Sequence, residues 1–385
     1  MLIRTNSFFT AKGSGFRDQL NSLLSEIHQK EPGIVARMVI FGNPDCYQEF
    51  HEHLEIIHDS VNREFDKKPP TFSYITQPPL GGSCLIIETT SIVADEATQV
   101  FYKECKNTPY ILAKAGNMRI LFLSGIKAES SALMVSEQSD AVFSGILSVL
   151  QAENMQISSI VRQWNYIQDI VDIDDGRQNY QEFNDSRSLF YGKTVFTRGF
   201  PAATGIGTLH AGVSIDLDAI EPLDNSCQIM PVNNNLQVPA HGYSPAVLIG
   251  KPKENGKVKT TPKFERAKVI LSGNKGFVYI SGTAAIRGEM STYNKGIEEQ
   301  TRITIENIEH LISKNNLAAA GIDGVNNTSV NSLRVYLKNR SYYTIAKNII
   351  DKKYPGVIAI YLVGDVCRPE LLIEVEGIAD FDLLK

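Results

Sequence analysis

The sequence has 385 residues, of which 43% are hydrophobic and 21% charged, and its formal net charge at pH 7 is −5. A globular chain of this size is expected to fold as two units of roughly 150 to 200 residues. The acidic balance argues against nucleic acid or an anionic membrane surface as the main partner, and no apolar run of about 18 residues predicts a membrane span.

Neither the opening residues of the sequence nor its cysteines point to secretion. The opening MLIRTNSFFTAKGSG lacks the basic stretch and apolar run of a signal peptide. The five cysteines are scattered and never form a C-x-x-C pair, which is typical of reduced thiols rather than of a disulfide framework or a zinc site. We therefore expect a cytoplasmic protein without a cofactor or a metal.

The first 115 residues contain two helix candidates, near 16–30 and 45–66, and a strand in GIVARMVIFG. The second candidate carries the run HEHLEIIH, in which His51 and His53 are two residues apart and His58 follows five residues later. Zinc ligands on one helix are usually four residues apart. This run therefore predicts a solvated amphipathic helix rather than a metal site.

The middle of the chain alternates strand and helix patterns. The runs MRILFLSGI (118–126) and SSIVRQWNYIQDI (158–170) are rich in β-branched and aromatic residues and predict strands. Between them SDAVFSGILSVLQAEN predicts a helix, and NYQEFNDSRSLFYG (179–192) predicts another. VSIDLDAIEP (213–222) again has the pattern of a strand.

Residues 223–265 are rich in proline, asparagine, glycine and lysine and predict a long loop. Its LQVPAHGYSP part is expected to line the site, and its lysine-rich KPKENGKVKTTPK part to be solvated. After this loop the pattern predicts a hairpin in KVILSGNKGFVYISG, a helix in GIEEQTRITIENIEHLISKNN and a strand in VNSLRVYLKN. A second helix follows in SYYTIAKNIIDKKYPG, and two strands follow in VIAIYLV and LLIEVEGIA.

The two halves repeat one pattern at a nearly constant offset. The Ser-Gly pairs that begin at Ser124 and Ser281 are 157 residues apart, Pro201 and Pro355 are 154 apart, and the terminal acidic strands are 158 apart. Matching segments in the same order indicate an internal duplication. We predict an α+β fold of two tandem modules, each a mixed β-sheet with helices packed on one face, comprising residues 1–222 with an extra N-terminal layer, a connecting loop 223–265, and residues 266–385.

The C-terminal segments FVYISGT, GIEEQTRITIENIEHLI and LLIEVEGIA resemble the RidA (YjgF) family. Further segments resemble the chorismatases, which carry a RidA-like C-terminal domain after a related N-terminal one. These segments follow one another in the expected order and are TQPPLGG (76–82), RQWNYI (162–167), NYQEFNDSRSLFY (179–191), FPAATGIG (200–207), LQVPAHGYS (236–244), KFERAKVI (263–270) and ISGTAAIRGE (280–289).

Two segments depart from these families. The stretch GEMSTYNKG (288–296) lacks the histidines of the chorismatase pattern. The stretch YPGVIAIYLV lacks the arginine of the RidA family, which disfavours imine or enamine hydrolysis.

The resemblance implies an enzyme that releases pyruvate from chorismate, a dianion with an enolpyruvyl vinyl ether. Such a reaction needs a carboxylic acid that is still protonated near neutral pH. The resemblance assigns this role to Glu374. The residue pattern agrees, because alternation puts Glu374 and Glu376 on one strand face about 7 Å apart, where burial and a like charge raise a pKa. The alternative is that both glutamates lie on a solvated face of the sheet. Asp216 is the expected counterpart of Glu374 in the first half and is expected to be structural.

Arginine suits carboxylate binding because its planar guanidinium can donate two parallel hydrogen bonds. Arg187 and Arg266 lie inside matched motifs and are expected to bind the substrate carboxylates. The further candidates, each of which could instead be a core or surface residue, are Arg162, Tyr180, Tyr243, Thr283, Gln300 and Trp164.

The leading hypothesis is a chorismatase that forms pyruvate and a hydroxybenzoate (3- or 4-hydroxybenzoate) or a dihydroxycyclohexadiene carboxylate. A RidA-like small-metabolite binding protein and an imine or enamine deaminase are the alternatives. No metal or redox cofactor is expected, and the two linked halves favour a monomer, with a homo-oligomer as the other option.

Overall fold

The structure is a computed structural model and describes residues 3–13, 15–251, 259–292 and 294–384. Residues 3–93 form a first unit around a four-stranded sheet with the strand order β1-β4-β2-β3. Its elements are β1 (Ile3–Ala11), α1 (Phe16–Lys30), β2 (Ile34–Phe41), α2 (Tyr47–Phe65), β3 (Thr71–Ile75) and β4 (Leu85–Val93).

Residues 99–222 form a second unit around a six-stranded sheet with the order β11-β8-β12-β7-β6-β5. Its elements are β5 (Gln99–Cys105), β6 (Thr108–Ala115), β7 (Met118–Lys127), α3 (Val135–Ala152), β8 (Ile160–Gln168), the short pair β9 (Ile173–Asp174) and β10 (Arg177–Gln178), α4 (Asn179–Tyr191), β11 (Ala202–Thr208) and β12 (Val213–Pro222).

Residues 227–383 form a third unit around a six-stranded sheet with the order β13-β14-β15-β20-β18-β19. Its elements are β13 (Cys227–Val232), β14 (Ala267–Ser272), β15 (Lys275–Ala284), the short pair β16 (Ile286–Arg287) and β17 (Met290–Ser291), α5 (Ile297–Leu311), α6 (Lys314–Ala319), β18 (Val325–Leu337), α7 (Tyr343–Lys353), β19 (Ile358–Val363) and β20 (Ile373–Leu383).

All three units share one β-α-β-α-β-β topology. In each unit the second and third strands of this motif are parallel neighbours, and the fourth lies antiparallel between the second and the first; the motifs begin at β1, β7 and β15. The prediction of an α+β chain with tandem modules, each with helices on one face of a mixed sheet, is confirmed. The extra N-terminal layer expected within residues 1–222 proves to have the same topology as the two modules.

The helices cover one face of each sheet, and the opposite faces meet in a common core. Each unit has its own apolar cluster between its sheet and helices. The central cluster instead combines side chains of all three units, among them Phe41, Phe122, Trp164, Tyr279 and Tyr336. The chain is therefore three sheets packed back to back, with the helices outside.

Three buried ion pairs at this centre connect the units in a cycle. Each guanidinium reaches a carboxylate of the following unit: Arg37 of the first unit pairs with Asp218 of the second, Arg162 of the second with Glu376 of the third, and Arg334 of the third with Glu88 of the first. All six side chains are less than one tenth exposed. Charges at this depth are tolerated when they are paired.

The second and third units also meet at the edge of the second sheet. The amide of Ala203 on β11 donates to the hydroxyl of Ser281 on β15 at 3.0 Å, and the amide of Gly282 donates to the hydroxyl of Thr204 at 3.1 Å. Because β11 lies along the end of β15, the space between them is walled by two units.

The segment 223–265, which was expected to be a loop, also contains β13 and two short 3-10 turns, Ala240–Gly242 and Pro245–Val247. Strand β13 pairs with β14 and extends the third sheet. Residues 252–258 of the lysine-rich part expected to be solvated lie outside the described residues. Among the described residues, no helix is long and apolar enough to cross a membrane.

Candidate active site

A cleft opens between β11 and α4 of the second unit and β15 and β20 of the third, and part of the connecting segment covers it. It is lined by Gln178, Tyr180, Gln181, Asn184, Arg187, Ala203, Gly205, Tyr243, Val247, Leu248, Ile249, Pro262, Phe264, Arg266, Gly282, Ala284, Ile286, Cys367, Arg368, Leu371 and Glu374. Five residues predicted from sequence are among them, namely Glu374, Arg187, Arg266, Tyr180 and Tyr243.

Small residues on two strands make room for the cleft. A Cβ atom on Gly282 would lie 2.2 Å from a carboxylate oxygen of Glu374, and one on Gly205 would lie 2.8 Å from the ring of Tyr180. Ala203 and Ala284 are the neighbouring lining residues on the same strands. The Gly-Ile-Gly and Ser-Gly-Thr motifs therefore keep β11 and β15 free of side chains where the functional groups of β20 and α4 project.

Glu374 on β20 is the acid of the cleft. Its side chain is buried, and burial together with the nearby charge of Glu376 raises the pKa of Glu374 to about 8, although Arg162 and Arg266 oppose the shift. No hydrogen bond or ion pair to its carboxyl group occurs among the described residues, so a proton on it is free for transfer. A carboxyl group that is protonated at neutral pH is what general acid catalysis requires.

Glu376 lies two residues further along β20 in a different environment. Its carboxylate pairs with Arg162 and, at 3.1 Å, with Arg334. Burial alone would raise the pKa of Glu376, but these cations and hydrogen bonds from Thr204 and Tyr336 lower it. Glu376 is thus a fixed negative charge behind the acid.

Three buried arginines line the cleft without a carboxylate partner among the described residues. Arg187 donates to Asn184 at 2.5 Å, and its Nε has no partner. Arg266 donates to the hydroxyl of Tyr243 at 2.6 Å, and its Nε is also unpaired. Arg368 donates only to neutral oxygens, from positions near the ring of Tyr243. Buried cations without counter-ions provide a site for an anion with more than one negative group.

The two tyrosines position these cations. Tyr243 has its ring beside both Arg266 and Arg368, at 5.6 Å and 5.1 Å from the guanidinium carbons. Because its hydroxyl accepts from Arg266, its own proton can be donated to a ligand. Burial raises the pKa of Tyr180, which also hydrogen-bonds to Arg187, so that Tyr180 stays neutral.

The structure places four predicted substrate-binding residues outside the cleft. Trp164 and Arg162 point into the centre of the molecule, because alternation along β8 directs them away from α4. Their side chains contact Glu376 there, and the Arg162 guanidinium lies 4.6 Å from the Trp164 ring. Arg162 acts on the cleft only through Glu376 and the pKa of Glu374.

Thr283 and Gln300 have structural roles. Thr283 donates to the carbonyl of Ser281 at 2.8 Å within its own strand bulge. Gln300 donates to the carbonyls of Lys295 and Glu370 and accepts from the amide of Leu372 at 2.9 Å. Its amide thereby fixes the loop that leads into β20 instead of facing the cleft.

The expectation that Asp216 is the counterpart of Glu374 is wrong. Glu374 pairs in register with Ala284 and Tyr336, and the residue paired in the same way with Lys127 and Tyr166 is Ser214. Asp216 is instead held by Ser73 and the amide of Gly125, both at 2.7 Å. Equivalent residues of these two strands, Ser214 and Glu374, are therefore two residues further apart in the sequence than the predicted offset of 158.

Sequence reasoning missed Arg368, Cys367, Asn184 and Gln181 as lining residues. Both Asn184 and Gln181 lie in the matched NYQEFNDSRSLFY motif. Asn184 is one helical turn from both Tyr180 and Arg187, and Gln181 is one turn before Asn184, so both could have been found from that spacing. Cys367 and Arg368 lie in a loop without periodicity, which gives no such signal. Burial and the charge of Glu374 raise the pKa of Cys367 to about 12, so its thiol is neutral.

No group of three or more His, Cys, Asp or Glu side chains that could hold a metal ion occurs within the part of the chain that the structure describes.

Residues 103–218 match a family model described as the N-terminal part of FkbO/Hyg5-like chorismatases. A protein of Streptomyces hygroscopicus named 3-hydroxybenzoate synthase is 34% identical over 234 residues, which is 59% of this chain and 65% of that protein. A chorismatase of Streptomyces rapamycinicus is 26% identical over 62% of this chain and 68% of its own length. The chain thus spans just under two thirds of the first of these relatives.

A solved chorismatase structure superimposes with a TM-score of 0.68 and covers 98% of both chains, at 18% identity. This similarity shows that the whole chain, including its first unit, shares that fold.

Proposed function

We propose that the chain is a member of the chorismatase family and an enzyme that acts on chorismate and releases pyruvate, because residues 103–218 match a model of that family and the named relatives are a 3-hydroxybenzoate synthase and a chorismatase. The observation that carries the proposal is the pairing of a neutral acid, Glu374, with three buried guanidiniums that lack counter-ions. Chorismate combines two carboxylates with a vinyl ether that needs a proton, and this cleft offers groups for both. The relatives' names supply the substrate.

The first step is proton transfer from Glu374 to the methylene carbon of the enolpyruvyl group. It converts the vinyl ether into an oxocarbenium ion and leaves a carboxylate on Glu374. Arg187, Arg266 and Arg368 hold the substrate carboxylates, so that the methylene is presented to the acid at a fixed position. The like charge of Glu376 keeps Glu374 protonated before this step, and the positive charges of Arg162 and Arg266 stabilise the carboxylate that the step leaves on Glu374.

The oxocarbenium ion is then resolved by water or by the C4 hydroxyl of the substrate, and pyruvate leaves. We propose the branch that ends in 3-hydroxybenzoate, because a relative with 34% identity carries that product in its name. Hydroxybenzoate and pyruvate together contain the atoms of chorismate, whereas the dihydroxycyclohexadiene product contains one additional water. The reaction to hydroxybenzoate and pyruvate therefore balances in atoms and electrons without an oxidant or a reductant.

Both walls of the cleft come from the same chain, so we propose that a monomer is competent for turnover. A single unsymmetrical cleft also suits a substrate whose two carboxylates are chemically different.

The test is to incubate the purified protein with chorismate and to follow pyruvate with lactate dehydrogenase and NADH. Pyruvate release that depends on Glu374 would support the proposal, and mass spectrometry of the ring product separates the hydroxybenzoates from the hydrated diene. Comparison with authentic standards separates 3- from 4-hydroxybenzoate. Binding of chorismate by calorimetry without pyruvate release would instead favour a metabolite-binding protein.

A further inference from the structure

The active cleft has a structural counterpart between the first and second units. Strand β3 lies along the end of β7 there, as β11 lies along the end of β15, and Ser124-Gly125 occupies the place of Ser281-Gly282. A cavity of about 560 Å³ opens at this junction. Its walls are helix α2, strand β3 and the ends of β7 and β12.

The register of the strands shows how the counterpart differs chemically. Ser214 takes the position of Glu374, and Lys127 takes the position of Ala284, with Ser214 and Lys127 paired across β12 and β7. The acid of the active cleft is thus replaced by a hydroxyl, and an ammonium group stands beside it. This cavity therefore has no general acid at the catalytic position but has a cation for an anionic ligand.

Two polar groups of the cavity lack partners among the described residues. Ser124 is 5% exposed, and its hydroxyl has no hydrogen-bond partner. The corresponding Ser281 has two, the amide of Ala203 and the carbonyl of Glu265. The ammonium group of Lys127 has no carboxylate partner and lies 5.2 Å from the ring centroid of Phe50.

Aromatic rings supply the apolar part of the cavity. Phe50 and Tyr74 stack at 5.5 Å, and Phe72 meets the edge of the His58 ring at 4.8 Å. The side chains of Lys127 and His58 are exposed at the rim of the cavity, and partial desolvation there lowers the pKa values of both. Glu104 is the acidic side chain in the lining, and it is exposed on β5.

We propose that this second cleft, lined by Ser124, Lys127, Ser214, Phe72 and His58, binds a small monocarboxylate with an apolar body and does not convert it. The carboxylate would meet Lys127 and the strand hydroxyls, and the apolar body would lie against the aromatic wall. One lysine suits one carboxylate, whereas the three arginines of the active cleft suit a dianion. The proposal does not depend on the reaction in the active cleft.

Benzoate is the probe, and its binding is measured by calorimetry and located by hydrogen exchange. In the wild-type chain, benzoate should slow exchange in Ser124–Lys127 and in α2. Lys127→Gln should weaken this binding tenfold or more and leave turnover of chorismate unchanged. Asn62→Trp, on the exposed rim of α2, should block the cavity without altering the core.

Lys114→Gln is the matched control, because Lys114 is exposed on the neighbouring strand β6 outside the cavity. It should leave benzoate binding as in the wild type. Benzoate that protects only the active cleft, or that protects Ser124–Lys127 equally in the Lys127→Gln and Asn62→Trp variants, would overturn the proposal.

Discussion

Glu374 and Glu376 project from the same face of β20, yet only Glu376 is paired with arginine. Two guanidiniums hold Glu376 as a carboxylate, and its charge helps to raise the pKa of Glu374 to about 8. Neighbouring carboxyl groups with divergent pKa values are a mark of acid–base catalysis. In this pair the ionised member keeps the other one protonated.

Replacing Glu374 with Gln should abolish most turnover and preserve substrate binding. The amide has nearly the same shape but cannot transfer the proton, so kcat for pyruvate release should fall by about 10² to 10⁴-fold. Calorimetry with chorismate should give a Kd close to that of the wild type. Turnover at the wild-type rate would remove Glu374 from the proposed role.

The pH profile should show that the acid form is the active form. Because the pKa of Glu374 is raised to about 8, kcat/KM should be level below that pH and decline above it, up to tenfold per pH unit. Glu376→Gln removes the like charge and leaves Arg162 unpaired, and both changes lower the pKa of Glu374. The decline should then begin at lower pH, in a protein whose circular dichroism spectrum is unchanged. A decline at the same pH in both proteins would contradict the coupling.

The buried acid should also reduce the stability of the fold. The folded-state pKa of Glu374 lies above the ordinary value of 4.5, so folding stability is highest below that value and falls as the pH rises toward 8. Glutamine does not ionise, so the Glu374→Gln variant does not lose stability in this way. At pH 7 its free energy of unfolding should exceed that of the wild type by an amount on the order of 3 kcal/mol. Urea unfolding at pH 7 and pH 4.5 measures the difference, which should shrink at the lower pH. A gain that is equal at both pH values would point to packing instead.

Arg187→Lys should raise KM for chorismate more than it lowers kcat. Lysine keeps the charge but loses the planar pair of donors, a change of roughly 1.5 to 3 kcal/mol for a charged hydrogen bond, or about 10- to 100-fold. Arg302→Lys is the control, because Arg302 is exposed on α5 beside Glu298. Equal KM values for both variants would exclude Arg187 from carboxylate binding.

Gly282→Ala should inactivate the enzyme through the position of the acid. The added Cβ would meet a carboxylate oxygen of Glu374 at 2.2 Å, so the side chain must move away from the substrate. Pyruvate release should fall by at least tenfold. Gly296→Ala is the matched control, because a Cβ there meets nothing within 4 Å and the φ angle of −71° is ordinary. Full activity in Gly282→Ala would show that Glu374 can move without loss.

The regular elements of the chain could be predicted because their side chains repeat with a clear period. The helices Phe16–Lys30 and Ile297–Leu311 and the strand Ile373–Leu383 lie where the pattern predicts them. The strand Ala202–Thr208 was not predicted, since Ala-Ala-Thr-Gly-Ile-Gly-Thr has few residues that favour strands. Its small residues are needed for the cleft.

The residues of the site could be predicted where they lie on a regular strand or helix. Glu374 follows from alternation and from the family resemblance, but Arg368 comes from an irregular loop whose path depends on tertiary contacts. The register of Ser214 was missed by two residues because strand bulges near Gly125 and Gly282 hide the true pairing. Trp164 and Arg162 were expected in the cleft because sequence alternation does not say which face of a strand meets which neighbour.

The cycle of ion pairs at the centre has a consequence for how the chain folds. Each buried arginine pairs with a carboxylate of the following unit, and Arg37 and Arg162 have no other carboxylate partner among the described residues. A fragment that lacks the second or the third unit would therefore leave a guanidinium uncompensated in the interior, which is strongly unfavourable. Partly assembled states are therefore penalised, and the three units should melt in a single transition. A polypeptide with three similar parts behaves in this respect as one cooperative unit, and its halves are not independent modules that could be exchanged or expressed alone.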